Sequence, residues 1–123
     1  MNYGIGGIIS SHVDSMDAFD PNSSEYIYES GPRIITFMTY LSTVIAGGRT
    51  VFPQLGISAE PIKGSALYWF NIHPDLSYDS RNLHFGCPVL FGNKWILNKW
   101  VFSFDQWKTF PCSIREYDHI LPF

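Results

Sequence analysis

A chain of 123 residues, 46% hydrophobic and 15% charged, has the composition of one globular domain and excludes a disordered tail. Its net charge of -3, with no cluster of Lys or Arg, excludes a nucleic-acid surface, because phosphate binding needs a concentrated positive field. No apolar stretch approaches the roughly 18 residues of a membrane span, and the 17% aromatic content is spread along the chain, as suits a core or a lined cavity.

The opening segment, Met1-Asn2-Tyr3-Gly4-Ile5-Gly6-Gly7, has neither the basic nor the apolar region of a signal peptide, and read literally it implies a cytosolic chain. His12-Val13-Asp14 follows, and in a strand these residues at i and i+2 project to one face. Residues 15–32, rich in Asp, Ser, Asn and Pro, read as an exposed loop that includes a formal glycosylation acceptor, Asn22-Ser23-Ser24. A β-branched and aromatic run from Arg33 to Leu41, bounded by Gly31-Pro32 and by Ala46-Gly47-Gly48, predicts a strand. Ser65 to Phe70 predicts another, after the Lys63-Gly64 turn. Near the end, Cys87 to Phe91 and Lys94 to Phe102 flank Gly92-Asn93 at the spacing of a hairpin. Eight prolines and ten glycines between short apolar runs suit an all-β sandwich or barrel occupying residues 1–123 as one domain. Cys87 and Cys112 fit one disulfide or two free thiols.

His12 and Asp14 acquire chemical meaning if a second imidazole joins them. Of His73, His84 and His119, only His84 is followed by a strand that begins with a lysine, Lys94. Two histidines and a carboxylate occupy one face of an octahedral iron and leave the other positions open, the arrangement of non-haem Fe(II) oxygenases. The same set can also hold zinc with an open position, which keeps a hydrolytic centre as an alternative. Lys94 is either a buried partner for an anion or a turn lysine with its amine in water. In the apolar strand that it starts, burial without an anion would be costly.

Tyr3-Gly4-Ile5-Gly6-Gly7, His12-Val13-Asp14, Arg33-Ile34-Ile35-Thr36-Phe37, Ala46-Gly47-Gly48-Arg49-Thr50-Val51-Phe52-Pro53, Lys63-Gly64-Ser65-Ala66 and the stretch from His84 to Trp95 together resemble the catalytic domain of the animal collagen prolyl 4-hydroxylase α subunit. The resemblance covers nearly the whole chain, in order and in spacing. It implies a double-stranded β-helix, or jelly roll, here without its first strand and flanking helices. It also implies an enzyme that oxidatively decarboxylates 2-oxoglutarate to succinate while hydroxylating C4 of a peptidyl proline, with L-ascorbate as a reductant for the iron. By the same resemblance His12, Asp14 and His84 are Fe(II) ligands, Lys94 pairs with the distal carboxylate of 2-oxoglutarate, and Tyr3 and Thr50 line the co-substrate pocket. Trp100 matches an aromatic near the peptide channel, and Cys87 and Cys112 match a disulfide pair. A proline-rich, procollagen-like peptide as substrate, protein disulfide isomerase as a β subunit and the endoplasmic reticulum lumen as location are further implications. The match departs at Ile9, where the family has a substrate-facing tyrosine, at Ser15, where an aromatic usually follows the Asp ligand, and in the eleven residues before His12, which are fewer than the family fold has there. These departures motivate a second reading, a catalytically impaired or truncated relative acting as a binding or assembly partner.

Overall fold

The computed structural model describes residues 1–15, 30–104, 106, 108 and 109. Among the described residues ten strands follow one another: β1 (Asn2–Tyr3), β2 (Ile9–His12), β3 (Arg33–Tyr40), β4 (Ala46–Gly47), β5 (Thr50–Phe52), β6 (Ile57–Ala59), β7 (Ala66–Phe70), β8 (His84–Gly86), β9 (Val89–Phe91) and β10 (Lys94–Phe102). Short 3-10 turns occupy Pro53–Leu55 and Ser80–Asn82. The strands form two four-stranded antiparallel sheets, ordered β1-β10-β3-β7 and β2-β8-β5-β6, with β4 and β9 paired separately. This is the all-β jelly roll that the sequence led us to expect.

Period-2 alternation explains how the larger sheet packs. Along β3, Ile34, Thr36, Met38 and Tyr40 are buried while Phe37 faces outward. Lys94 and Ile96 are buried on β10, where Ile96 pairs with Tyr40 and Trp100 with Thr36. On the other side Thr36 pairs with Trp69 of β7. The core cluster therefore joins Met38, Tyr40, Trp69 and Ile96 of this sheet to Phe52 of the smaller one. Burial of Met38, Phe52 and Ile96 contributes roughly 1.5–3 kcal/mol each. The Phe52 ring meets Trp69 edge-on at 5.2 Å between centroids, a geometry that adds about 0.5–1.5 kcal/mol.

Two sequence expectations change. Gly92-Asn93 does not close a hairpin, because β9 pairs with β4 and β10 pairs with β1 and β3. The hydrogen-bonding edges of β10 are already taken: Trp95 lies opposite Asn2, its carbonyl accepts from the Leu41 amide, and the Ser42 hydroxyl bonds the Asn93 carbonyl. The turn thus carries the chain from one sheet to another. At the ends of the expected exposed loop, Ser15, Gly31 and Pro32 are buried. Asn22-Ser23-Ser24 lies outside the described residues.

Candidate metal centre and anion pocket

Strand pairing assembles the first cluster. β2 ends at His12, directly opposite His84 at the start of β8, and Asp14 lies two residues beyond. The ligand-type atoms of His12, Asp14 and His84 all lie within 4.8 Å of one another. Asp14 Oδ1 stands 3.4 Å from His12 Nε2 and 4.0 Å from His84 Nε2. Both rings are oriented the same way: His12 Nδ1 is 2.8 Å from the Ser10 carbonyl and His84 Nδ1 is 2.8 Å from the Asn82 carbonyl. A carbonyl can only accept, so each Nδ1 carries the hydrogen and each Nε2 keeps a lone pair facing its neighbours. Burial pushes the His84 imidazole below its ordinary range, which also favours the neutral form a metal requires. Phe52 and Trp69 pack against the His84 ring at 5.2 and 4.9 Å and hold its plane.

Asp14 is held from several sides. Its Oδ2 accepts from the Thr36 hydroxyl at 2.6 Å, and Arg33 donates to its main-chain carbonyl at 3.1 Å. The Arg33 guanidinium in turn lies over the Trp100 ring, 3.9 Å from its centroid. Two imidazoles and one carboxylate oxygen, with Phe52 and Trp69 packed on the His84 ring, form a donor set suited to Fe(II) or Zn(II).

The three side chains line a cavity of about 220 Å³ that extends to Lys94, Thr50, Tyr3 and Trp100. Lys94 is 4% exposed, and burial pulls its amine below the ordinary lysine range. Among the described residues no carboxylate lies within ion-pair distance of it. Its Nζ donates to Thr50 Oγ1 at 3.3 Å, and the Tyr40 hydroxyl donates to the same oxygen at 2.7 Å. Both lone pairs of Thr50 are thereby used, which leaves its own hydrogen free to donate alongside Lys94. A buried ammonium and a hydroxyl donor with no anion between them fit a carboxylate. Gly86 makes the approach possible: a Cβ there would come within 2.7 Å of Ile9 and 3.4 Å of Lys94 Nζ.

The residues singled out from sequence thus fall into one place. His12, Asp14 and His84 converge, and Lys94 and Thr50 meet on the wall of the same cavity. Tyr3 is half-buried, with its ring centroid 5.9 Å from Lys94 Nζ, and Trp100 is half-buried on the wall. Ile9 also lines the wall, and Ser15 is buried beside Asp14. Cys112 lies outside the described residues. Sequence reasoning missed Tyr40 and passed over Thr36 except as part of a strand. The signal that could have found them is a hydroxyl at an inward position of β3, where an unpartnered polar group would be costly. His73 is buried elsewhere, with Nε2 3.9 Å from Asp79.

Comparison with known proteins agrees with this geometry. Residues 1–102 match the family described as the 2OG-Fe(II) oxygenase superfamily. The chain is 46% identical over 118 residues to human prolyl 4-hydroxylase subunit alpha-3, covering 96% of this chain and 21% of that one. It is 41% identical over 117 residues to the alpha-1 subunit of Gallus gallus, covering 95% of this chain and 22% of the relative. The chain therefore spans about a fifth of the length of these relatives. Among solved structures, the viral collagen prolyl hydroxylase of Paramecium Bursaria Chlorella virus-1, determined as its 2OG complex, superimposes with a TM-score of 0.71 at 30% identity, over 83% of this chain and 55% of that one. The donor triad and the anion pocket fit the two groups in the family's description, and the chain belongs to the 2OG-Fe(II) oxygenase superfamily.

Proposed function

We propose that this protein is an Fe(II)- and 2-oxoglutarate-dependent dioxygenase that hydroxylates peptidyl proline at C4, as in procollagen. The observation that carries the reading is the pairing, in one cavity, of the His12, Asp14 and His84 triad with a buried lysine that has no carboxylate partner among the described residues. When bound, iron and 2-oxoglutarate supply the oxidising power for the C–H bond. The chain's own residues bind and orient. His12 Nε2, His84 Nε2 and Asp14 Oδ1 present three donors, and Lys94 and Thr50 receive the distal carboxylate. Trp69 and Ile96 give the cavity apolar wall, backed by Phe52 in the core. A keto acid supplies the carboxylate that the buried Lys94 ammonium lacks among the described residues, so Lys94 favours the keto-acid reading.

Proline as the target draws its support from the names and identities of the relatives. Ascorbate as reductant, protein disulfide isomerase as β subunit, a Cys87–Cys112 disulfide and the endoplasmic reticulum lumen complete the proposal, all supported by the family resemblance. The test is turnover of a proline-rich peptide by the full-length protein with Fe(II) and 2-oxoglutarate. Succinate and 4-hydroxyproline should appear in equal amounts and vanish in His84→Ala. Folded, iron-loaded protein that releases no peptide-dependent succinate would refute the assignment and favour a binding or assembly role.

A further inference from the structure

Thr36 is fully buried between Trp100 and Trp69, in a strand whose other inward residues are Ile34, Met38 and Tyr40. A hydroxyl at such a position costs free energy unless it is paired, and valine would fill the same space. Its pairing is directional. Asp14 Oδ2 is 2.6 Å away and, in an ionised carboxylate, can only accept, so Thr36 donates. The Asn71 side chain approaches the same hydroxyl at 2.9 Å, and with the Thr36 hydrogen already committed it must present its amide Nδ2–H. Asn71 is itself 2% exposed and fixed by its backbone: its amide donates to the Ile34 carbonyl and its carbonyl accepts from Asp79. Asn71 Oδ1 has no partner among the described residues, so the amide orientation is dictated by Thr36 rather than by a bond on its other side.

We propose that Thr36 and Asn71 form a positioning relay that confines Asp14 to a single metal-facing oxygen, Oδ1. The inference rests on the reading of His12, Asp14 and His84 as metal ligands. With Oδ2 occupied by the Thr36 hydroxyl, Oδ1 is the atom that stands 3.4 Å from His12 Nε2 and 4.0 Å from His84 Nε2. A carboxylate free to turn could present both oxygens and take a second position on the metal. One oxygen keeps that position open for co-substrate or oxygen. Asn71 acts one step further out: its Nδ2–H fills a lone pair of Thr36 Oγ1 and supports the orientation in which the Thr36 hydrogen goes to Asp14. Neither residue touches the ion, and both act through Asp14.

The relay is tested by titrating the full-length, metal-free protein with Co(II) and following its visible absorption, a readout independent of turnover. The unaltered protein should bind, Thr36→Val should bind about 10 to 100 times more weakly, and Thr36→Ser, which keeps the hydroxyl, should return close to the parent affinity. The Co(II) band shape should change in Thr36→Val as Asp14 gains freedom. A purely structural role would lower the melting temperature of Thr36→Val and leave the affinity and spectrum of the folded protein unchanged, and that result overturns the relay. If Thr36→Val does not fold, Asn71→Ala decides. Weaker Co(II) binding supports the relay, and parental binding overturns it. Failure of the unaltered protein to bind Co(II) would instead remove the ligand assignment itself, so the two failures are distinguishable.

Discussion

Lys94 Nζ stands 3.3 Å from Thr50 Oγ1, on the wall of the cavity that His12, Asp14 and His84 also line. A buried ammonium with no carboxylate partner among the described residues penalises the ligand-free fold and rewards the arrival of an anion. Lys94→Met, similar in length but uncharged, should therefore stabilise the ligand-free protein by roughly 1 kcal/mol, or about 4 °C in melting temperature. The same substitution should abolish the stabilisation given by 2-oxoglutarate. Thermal unfolding with and without 2-oxoglutarate measures both, and an unchanged ligand-induced shift in Lys94→Met would show that the lysine is not the anchor.

Tyr40 acts one bond further back. Its hydroxyl occupies a lone pair of Thr50 and so helps aim the Thr50 hydrogen at the pocket. Tyr40→Phe should weaken 2-oxoglutarate binding by roughly 0.5–1.5 kcal/mol, the net worth of one hydrogen bond, and leave metal affinity unchanged. Calorimetric titration of the Mn(II)-loaded protein separates the two effects.

Acid should weaken the fold through the loop between β7 and β8. Burial alone would raise the Asp79 carboxyl, but side-chain and backbone hydrogen bonds from Arg81, together with its charge, outweigh burial and hold it below the ordinary value. A carboxyl whose folded pKa is depressed contributes stability in full above its unfolded value of about 3.9 and loses it as pH falls through the folded value. Urea unfolding of the parent and of Asp79→Asn should thus differ at neutral pH, with the gap starting to close near the unfolded value of about 3.9 and closing fully only below the depressed folded value. A gap that persists at low pH would place the contribution outside the carboxylate charge.

Gly47 is a backbone position that no side chain suits. Its φ is +78°, and a Cβ there would lie 2.2 Å from the Pro88 carbonyl oxygen and 2.9 Å from the Leu90 amide nitrogen, in the register between β4 and β9. Gly47→Ala should destabilise by more than about 1 kcal/mol, since both conformation and space oppose it. Denaturant unfolding checks this.

Much of the site was legible in the sequence. By residue chemistry alone His12, Asp14 and His84 suit zinc as well as iron, and Lys94 reads as a turn lysine as readily as an anion partner; the family resemblance, in order and spacing, is what joined them into one candidate site. The strands from Arg33 and from Ala66 were legible from β-branched and aromatic density. Gly92-Asn93 was misread because turn residues report only local backbone geometry, whereas pairing of β9 with β4 and of β10 with β1 and β3 is decided by distant segments. Thr36 and Tyr40 stayed hidden for a related reason. In a run such as Ile34 to Tyr40 a hydroxyl residue serves strand propensity as well as function, and only the partner across the cavity distinguishes the two. Asn71 follows the strand that ends at Phe70, and its contact with Thr36 depends on sheet register.

The central claim is that one cavity holds iron on His12, Asp14 and His84 and 2-oxoglutarate on Lys94. Anaerobic titration of the folded, metal-free protein with Fe(II) followed by 2-oxoglutarate tests it directly through the weak metal-to-ligand charge-transfer absorption of such complexes. A band should appear only when both are present, be lost in His84→Ala, and be lost in Lys94→Met while metal binding survives. Folded protein that takes up Fe(II) and 2-oxoglutarate without developing the band would contradict it.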